Sequence, residues 1–210
     1  MDDDFKKNVL KTGTTILGIV CKDGVVMAGD NRGTIGHSLI AMKDLQKVFP
    51  INSYLVFSGC GSATEILKIP KILTAELKLK QLKSKKAPSV HQAASLLSNI
   101  EVHESAFLLS GIDEDGKISL YELLGGMANK VKDYTASVGS GMPYVLGYLE
   151  RLWKPELTVE EGVKLAIEAI KASSARDVAS GNGIDVYTIT KEGINKVFSK
   201  KVEEIYKDKE

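Results

Sequence analysis

From Thr14 onward, apolar residues fall in short runs separated by turn signals, and the period of those runs changes along the chain. TTILGIVC (14–21) and VVMAGD (25–30) flank Lys22-Asp23-Gly24. Asp-Gly between two apolar runs is a strong hairpin signal, so the two segments are expected to pair as antiparallel strands. Further strands are expected at 46–51 (QKVFPI) and 54–58 (YLVFS). Residues 62–84 then place Ile66, Leu67, Ile69, Ile72, Leu73, Leu77 and Leu79 at helical spacing, with Pro70 expected to kink or interrupt the helix. Ser89 is a candidate cap for a second helix reaching about Ile100 and carrying Ala93, Ala94, Leu96 and Leu97.

Strands return at 105–111 and 117–123, joined by the turn signal Asp113-Glu114-Asp115-Gly116. A strand near 132–138 leads into Gly139-Ser140-Gly141 and a helix over about 142–152. Thr158-Val159-Glu160-Glu161 reads as a capping box opening a helix that runs to about Arg176. A last hairpin spans 184–190 and 195–199. Residues 1–13 are polar and read as an extension outside the core, and the charged C-terminal tail reads as frayed. Strands, two helices, strands, two helices, strands is not the regular alternation of a parallel doubly wound sheet. It fits an α+β class: a four-layer α-β-β-α sandwich of two mainly antiparallel sheets with helices on both outer faces.

Composition narrows the function classes. With 210 residues, 43% of them hydrophobic and 26% charged, the chain fits one ordinary globular domain. A formal net charge of +1 gives no reason to expect nucleic acid or an anionic membrane as partner. No apolar stretch approaches the roughly 20 residues needed to cross a bilayer, and MDDDFKKNVLKTG has no apolar signal core. A cytoplasmic location is the expectation. Cys21 and Cys60 form neither a disulfide framework nor a metal-ligand cluster and read as small buried side chains. Lysines 78, 80, 83, 85 and 86 lack interleaved aromatics and read as a solvated helix face.

The candidate chemistry starts at TGTT (12–15), where the polar extension meets an apolar strand. A threonine hydroxyl is a poor nucleophile until a base takes its proton. Breaking the Gly13–Thr14 bond would free an α-amine on Thr14, with a reference pKa of roughly 7.7–8.0, able to act as that base directly or through one water. Gly13 suits self-cleavage because, lacking Cβ, it lets the Thr14 hydroxyl approach its carbonyl. Taken alone, Thr-Gly-Thr-Thr merely starts a strand.

In order along the chain, TTILGI, AGDNRGT, the lysine of QKVF, GSG and RDVASGNGID resemble the proteasome β-subunit family, in its archaeal style. The likeness runs from Thr14 to about Thr190. Its most specific parts are the Gly13–Thr14 junction, Asp30 at a strand end and Arg176-Asp177-x-x-Ser180-Gly181. It implies an N-terminal nucleophile hydrolase fold, removal of residues 1–13 by autolysis, and a peptidase domain over 14–210. Thr14 would be the nucleophile, and Asp30 and Lys47 the polar pair beneath it. A lysine ammonium there would stabilise the deprotonated oxygen and lower the amine's pKa, with Asp30 holding the lysine charged. Ser140 matches the family serine near the threonine amine, and Asp177 and Ser180 the pair that orients the amine and its water. Gly59 matches the glycine whose backbone N–H is the oxyanion donor. Gly33 and Thr34 match the strand that pairs with an extended peptide. Phe57 falls where the family sets pocket depth, and would favour modest apolar side chains before the cut. The resemblance implies no metal and no organic cofactor. It implies seven-fold rings of β subunits flanked by α-subunit rings, with an ATP-dependent unfoldase supplying unfolded polypeptide substrates.

The residues also admit plainer roles. Asp30 reads equally as a turn residue, Lys47 as an exposed strand lysine, and Ser140 and Ser180 as helix caps. For Asp177 that reading is weaker, since an acid at a helix C-terminus opposes the macrodipole. Three stretches depart from the family pattern: Ile51–Gly59 and Ile100–Phe107 are shorter than usual, and Thr34–Lys47 is one residue longer. Two family-level rivals are a bacterial two-component proteasome-like peptidase, which RDVASGNGID fits badly, and a non-catalytic, unprocessed ring subunit. Ser58-Gly59-Cys60-Gly61 also resembles a dinucleotide-binding turn, but Thr64 stands where a third small residue belongs.

Overall fold

The computed structural model describes residues 11–35 and 39–201. The expectations for residues 1–10 and for the tail beyond 201 lie outside the described residues. In chain order the elements are β1 (Lys11–Thr12), β2 (Ile16–Cys21), β3 (Gly24–Asp30), β4 (Gly33–Ile35), β5 (Leu39–Met42), β6 (Val48–Pro50) and β7 (Leu55–Ser62). Helices α1 (Ala63–Ser84) and α2 (Val90–Ser98) follow, then β8 (Ser105–Ile112), β9 (Ile118–Leu124), β10 (Met127–Val131) and β11 (Tyr134–Ala136). Helices α3 (Met142–Leu152) and α4 (Val159–Ser174) lead to the closing hairpin of β12 (Gly183–Thr190) and β13 (Gly193–Lys201).

Two antiparallel sheets carry the architecture. One has the order β1-β7-β8-β9-β10, with β6 also pairing β7, and the other the order β11-β2-β3-β12-β13. Because side chains alternate across a strand, each strand feeds two different cores. On β7, Leu55 and Phe57 pack with Phe107 and Leu109 of β8 against Leu73, Leu77 and Leu97 of the first helix pair. Leu17, Ile19 and Ala28 pack against Leu149 of α3 and Ile170 of α4. The alternate positions Ile16, Met27, Val56, Leu108, Leu120 and Ile189 meet between the sheets. This is the α-β-β-α sandwich that the order of elements implied.

Local chemistry explains two of the helix starts. Ser89 and Thr158 each form a full capping box, with Gln92 and Glu161 as the reciprocating side chains. Two sequence expectations need correction and one strand was missed. Pro70 does not interrupt α1, which runs 22 residues. Pro70 sits buried on its core side, and the Thr74 hydroxyl donates to the Pro70 carbonyl at 2.7 Å. The strand expected near 132–138 is the short β11, whereas β10 before it, joined to β9 through Gly125-Gly126, had no sequence expectation. Residues 11–13 do not lie outside the fold: Lys11 and Thr12 pair with Ser62 and Gly61 of β7, and Gly13 is buried. The β4–β5 hairpin, whose Leu39–Met42 strand is exposed, had no sequence expectation beyond Gly33 and Thr34 lying in a strand.

Leu108 is fully buried between the sheets, so Leu108→Ala should lower the unfolding free energy by about 2–5 kcal/mol. Lys130→Ala, on the exposed β10, should change it by no more than about 0.5 kcal/mol. Urea unfolding of the two variants checks the difference; equal values would contradict the inter-sheet core.

Candidate active site

Asp30 closes β3, and its carboxylate gathers four donors from four separate stretches of chain. Oδ1 accepts from the Thr15 N–H at 2.8 Å and the Lys47 ammonium at 2.7 Å. Oδ2 accepts from the Arg32 N–H at 3.0 Å and the Gly181 N–H at 2.9 Å. Lys47, just ahead of β6, has a side chain fully enclosed together with that of Asp30. An ammonium removed from water needs such a partner, because an unpaired buried charge costs several kcal/mol. Burial pushes the Lys47 pKa below the ordinary lysine value, and the Asp30 carboxylate opposes that shift. The plainer roles of turn aspartate and exposed lysine are not the ones adopted.

Lys47 also donates to the Gly13 carbonyl oxygen at 3.2 Å. The Thr14 hydroxyl donates to the same oxygen at 2.7 Å. The Gly13 N–H is held by the Thr34 hydroxyl at 2.9 Å, and the Thr14 N–H by the Ser140 hydroxyl at 3.2 Å. The peptide bond between the two residues is thus gripped on both sides inside the fold. A Cβ built on Gly13 would fall 1.8 Å from the Ala179 Cβ, so the approach of these segments admits only glycine there.

The Ser140 hydroxyl accepts from Thr14 and donates to Asp177 Oδ2 at 2.6 Å. It caps no helix: Gly141 is the N-cap of α3 and no side-chain cap is made. Ser180 donates to the same Asp177 oxygen at 2.5 Å, and the Ala179 N–H donates to Oδ1 at 3.1 Å. Asp177 follows the end of α4, with its N–H on the Ser173 carbonyl at 2.8 Å. Thr14, Ser140, Asp177 and Ser180 therefore form one connected group beside the Lys47–Asp30 pair.

The remaining candidates are less directly placed. Gly33 and Thr34 open β4, where Thr34 reaches Gly13. The Gly59 N–H donates to the Lys47 carbonyl at 3.2 Å, so that donor is already engaged. Phe57 is fully buried, its ring 5.6 Å from Phe49 and 5.1 Å from Phe107. Burial pushes both cysteine thiols up, Cys21 to about 12, which suits inert packing roles.

Three neighbours, Thr15, Ser173 and Arg32, were not singled out in the sequence. The Thr15 hydroxyl bridges Ser173 at 2.6 Å and Ser180 at 2.7 Å. Arg32 holds the loop carrying Ser180, donating to Asn182 Oδ1 and the Val178 carbonyl, both at 2.7 Å. Strand alternation was the available signal for Thr15, since it must face away from Thr14. Helical spacing was the signal for Ser173, one turn before Asp177.

Chemically, the group places a hydroxyl, an ammonium and a carbonyl oxygen together around one peptide bond, which is the setting for acyl transfer to oxygen. Among the described residues no cluster of three or more His, Cys, Asp or Glu side chains could hold a metal ion, and no helix is long and apolar enough to cross a membrane. The nucleotide-turn alternative fares poorly, because β7 leads through two helices to an antiparallel strand.

The α-β-β-α sandwich of two antiparallel sheets is the architecture of the N-terminal nucleophile hydrolase fold. The sequence matches the family described as proteasome subunit over residues 10–189. A protein named proteasome subunit beta from Nanoarchaeum equitans is 41% identical over 193 residues, spanning 88% of this chain and 97% of the relative. Proteasome subunit beta 1 of Thermococcus onnurineus is 40% identical over 202 residues, 93% of this chain and 97% of its own. Proteasome subunit beta of Methanobrevibacter smithii is 41% identical over 198 residues, 92% and 95% of the two chains. The chain belongs to the proteasome subunit family, and within it to the β type.

The buried pair makes an ordered prediction. Asp30→Ala leaves the Lys47 ammonium and three backbone N–H groups without their acceptor, and should cost about 3–5 kcal/mol. Lys47→Met leaves the carboxylate with those three donors and should cost less. Denaturant unfolding decides the order; the reverse ranking would mean that Asp30 does not organise the site.

Proposed function

We propose that this chain is a catalytic, self-processing threonine endopeptidase subunit of a proteasome core. The observation that carries the reading is the convergence of the Thr14 hydroxyl and the Lys47 ammonium on the carbonyl oxygen of Gly13, at 2.7 and 3.2 Å. The hydroxyl is hydrogen-bonded to the oxygen of the very carbonyl whose carbon it would attack, and the ammonium is aimed at that oxygen, on which charge would develop. Attack by Thr14 Oγ1 transfers the Gly13 acyl group from nitrogen to oxygen, and water then hydrolyses the ester. Gly13 leaves as a carboxylate at the end of residues 1–13, and residues 14–210 begin with a free amine. Ser140, already bonded to that nitrogen and backed by Asp177 and Ser180, would orient the amine.

In turnover the same hydroxyl attacks a substrate carbonyl. Its proton passes to the amine and on to the departing peptide amine, and water resolves the acyl-enzyme. The Lys47 charge favours the alkoxide-like oxygen and a neutral amine. Gly33 and Thr34 would hold the substrate backbone as Thr34 now holds Gly13, with Phe57 setting pocket depth and the Gly59 N–H, released from Lys47, as a further oxyanion donor. Assembly would place the subunit in a heptameric β ring between α rings in the cytoplasm, fed with unfolded polypeptides by an ATP-dependent unfoldase. The reading calls for neither metal nor organic cofactor.

One observation favours a second reading, a non-catalytic ring subunit that keeps its extension: the Gly59 N–H is already paired with Lys47. Intact mass and peptidase assays separate the two. The assembled wild-type protein should start at Thr14, whereas Thr14→Ala should retain residues 1–13 and show only background peptidase activity. If Thr14→Ala were processed and active, the proposal would be wrong. Gly13→Ala, whose methyl meets Ala179, should slow self-cleavage by about 10²-fold in a time course of precursor mass.

A further inference from the structure

A run of hydroxyls extends from the site into the helical layer. Ser173 Oγ lies 2.6 Å from Thr15 Oγ1, which lies 2.7 Å from Ser180 Oγ, which donates to Asp177 Oδ2 at 2.5 Å. Ser173, Thr15 and Ser180 are at most 1% exposed, so the run is shut off from water. The protons can be assigned by elimination. Ser180 uses its proton on the carboxylate, so towards Thr15 it can only accept. Thr15 must then donate to Ser180, which leaves it to accept from Ser173. Three hydroxyls thus point one way and end on the oxygen that also receives the Ser140 proton, at 2.6 Å.

Ser173 is held at both ends. Its carbonyl accepts the Asp177 N–H at 2.8 Å and the Arg176 N–H at 2.9 Å, so the backbone that presents Asp177 hangs on the same residue. A buried helical serine commonly returns its proton to a carbonyl one turn back. Here that proton is committed to Thr15. Space is reserved for the pair: a Cβ on Gly141 would fall 1.8 Å from Thr15 Oγ1 and 2.2 Å from Ser173 Oγ.

We propose that Ser173 is a positioning residue, holding the Asp177 carboxylate towards the Thr14 nitrogen through Thr15 and Ser180. The inference rests on the reading of Thr14 as nucleophile. A donor at the far end of the run polarises each hydroxyl after it and removes their freedom to turn away. Deleting it leaves the Thr15 hydroxyl without the donor it accepts from.

The test uses the assembled complex and a fluorogenic peptide, with kcat, KM and a pH profile for each variant. Ser173→Ala should lower kcat about fivefold, the usual worth of one hydrogen bond, with KM within about twofold of wild type. The acidic limb of its kcat profile should move to lower pH, because a less firmly held carboxylate stabilises the ammonium form of the Thr14 amine less. Lys47, Asp30 and Asp177, the charged groups around that nitrogen, are unchanged in these variants. Thr15→Ser, which keeps the hydroxyl, should behave as wild type. Thr15→Val should lose activity, and adding Ser173→Ala to it should cost nothing more. Additive losses in the double variant, or an unchanged kcat and pH limb in Ser173→Ala, would overturn the proposal. Should Ser173→Ala fail to assemble, Ser173→Cys keeps the volume and weakens the donor, and the same outcomes apply. A dead Thr14→Ala beside a fully active Ser173→Ala removes this inference alone; an active Thr14→Ala removes the parent reading.

Discussion

One buried carboxylate organises the region around Thr14. Asp30 takes hydrogen bonds from Thr15 at the head of β2, from Arg32 after β3, from Lys47 before β6 and from Gly181 before β12. These segments are distant in sequence and belong to both sheets or to the loops between them. A carboxylate with all its lone pairs used, beside an enclosed ammonium, is stable only while every one of these segments is in place. The pair is therefore weak evidence for extra stability and strong evidence for a fixed local geometry. Everything proposed for Thr14 depends on Lys47 being held charged and aimed, and Asp30 is what holds it.

Strand alternation then divides the work between two consecutive threonines. Thr14 turns its hydroxyl to the Gly13 carbonyl, on the side of Lys47. Thr15 turns its hydroxyl to Ser173 and Ser180, on the side of the second helix pair. The N–H groups follow the same logic, Thr14 to Ser140 and Thr15 to Asp30. Two residues at a strand head thus join an ionic cluster to a hydroxyl cluster. The segment before them is drawn in as a short edge strand on β7, so the Gly13–Thr14 bond is buried within the sandwich rather than exposed on a tail.

The layering was legible because short apolar runs bounded by turn signals, such as Ile16–Cys21 before Asp23-Gly24, and the capping boxes at Ser89 and Thr158 state their structure locally. The residues around Thr14 were legible only through resemblance: nothing in QKVF says that Lys47 is buried, since its partner is 17 positions away and its enclosure comes from packing of both sheets. Pro70 was overread as a break, because tertiary packing of α1 outweighs one lost helical bond. β10 was passed over although Gly125-Gly126 between two strands is a hairpin signal. Alternation and helical spacing assign Thr15 and Ser173 to a face, but their partners, like those of Arg32, depend on which loop folds against them. Sequence position names a hydroxyl, but only the fold says where its proton goes.

The central claim concerns a single oxygen atom. Exposing the assembled protein to a threonine-directed electrophile, followed by intact-mass and peptide mapping, tests it most directly. The account predicts one adduct, carried by a peptide whose first residue is Thr14. An adduct on any other residue, or peptide hydrolysis by chains still joined across Gly13 and Thr14, would contradict it.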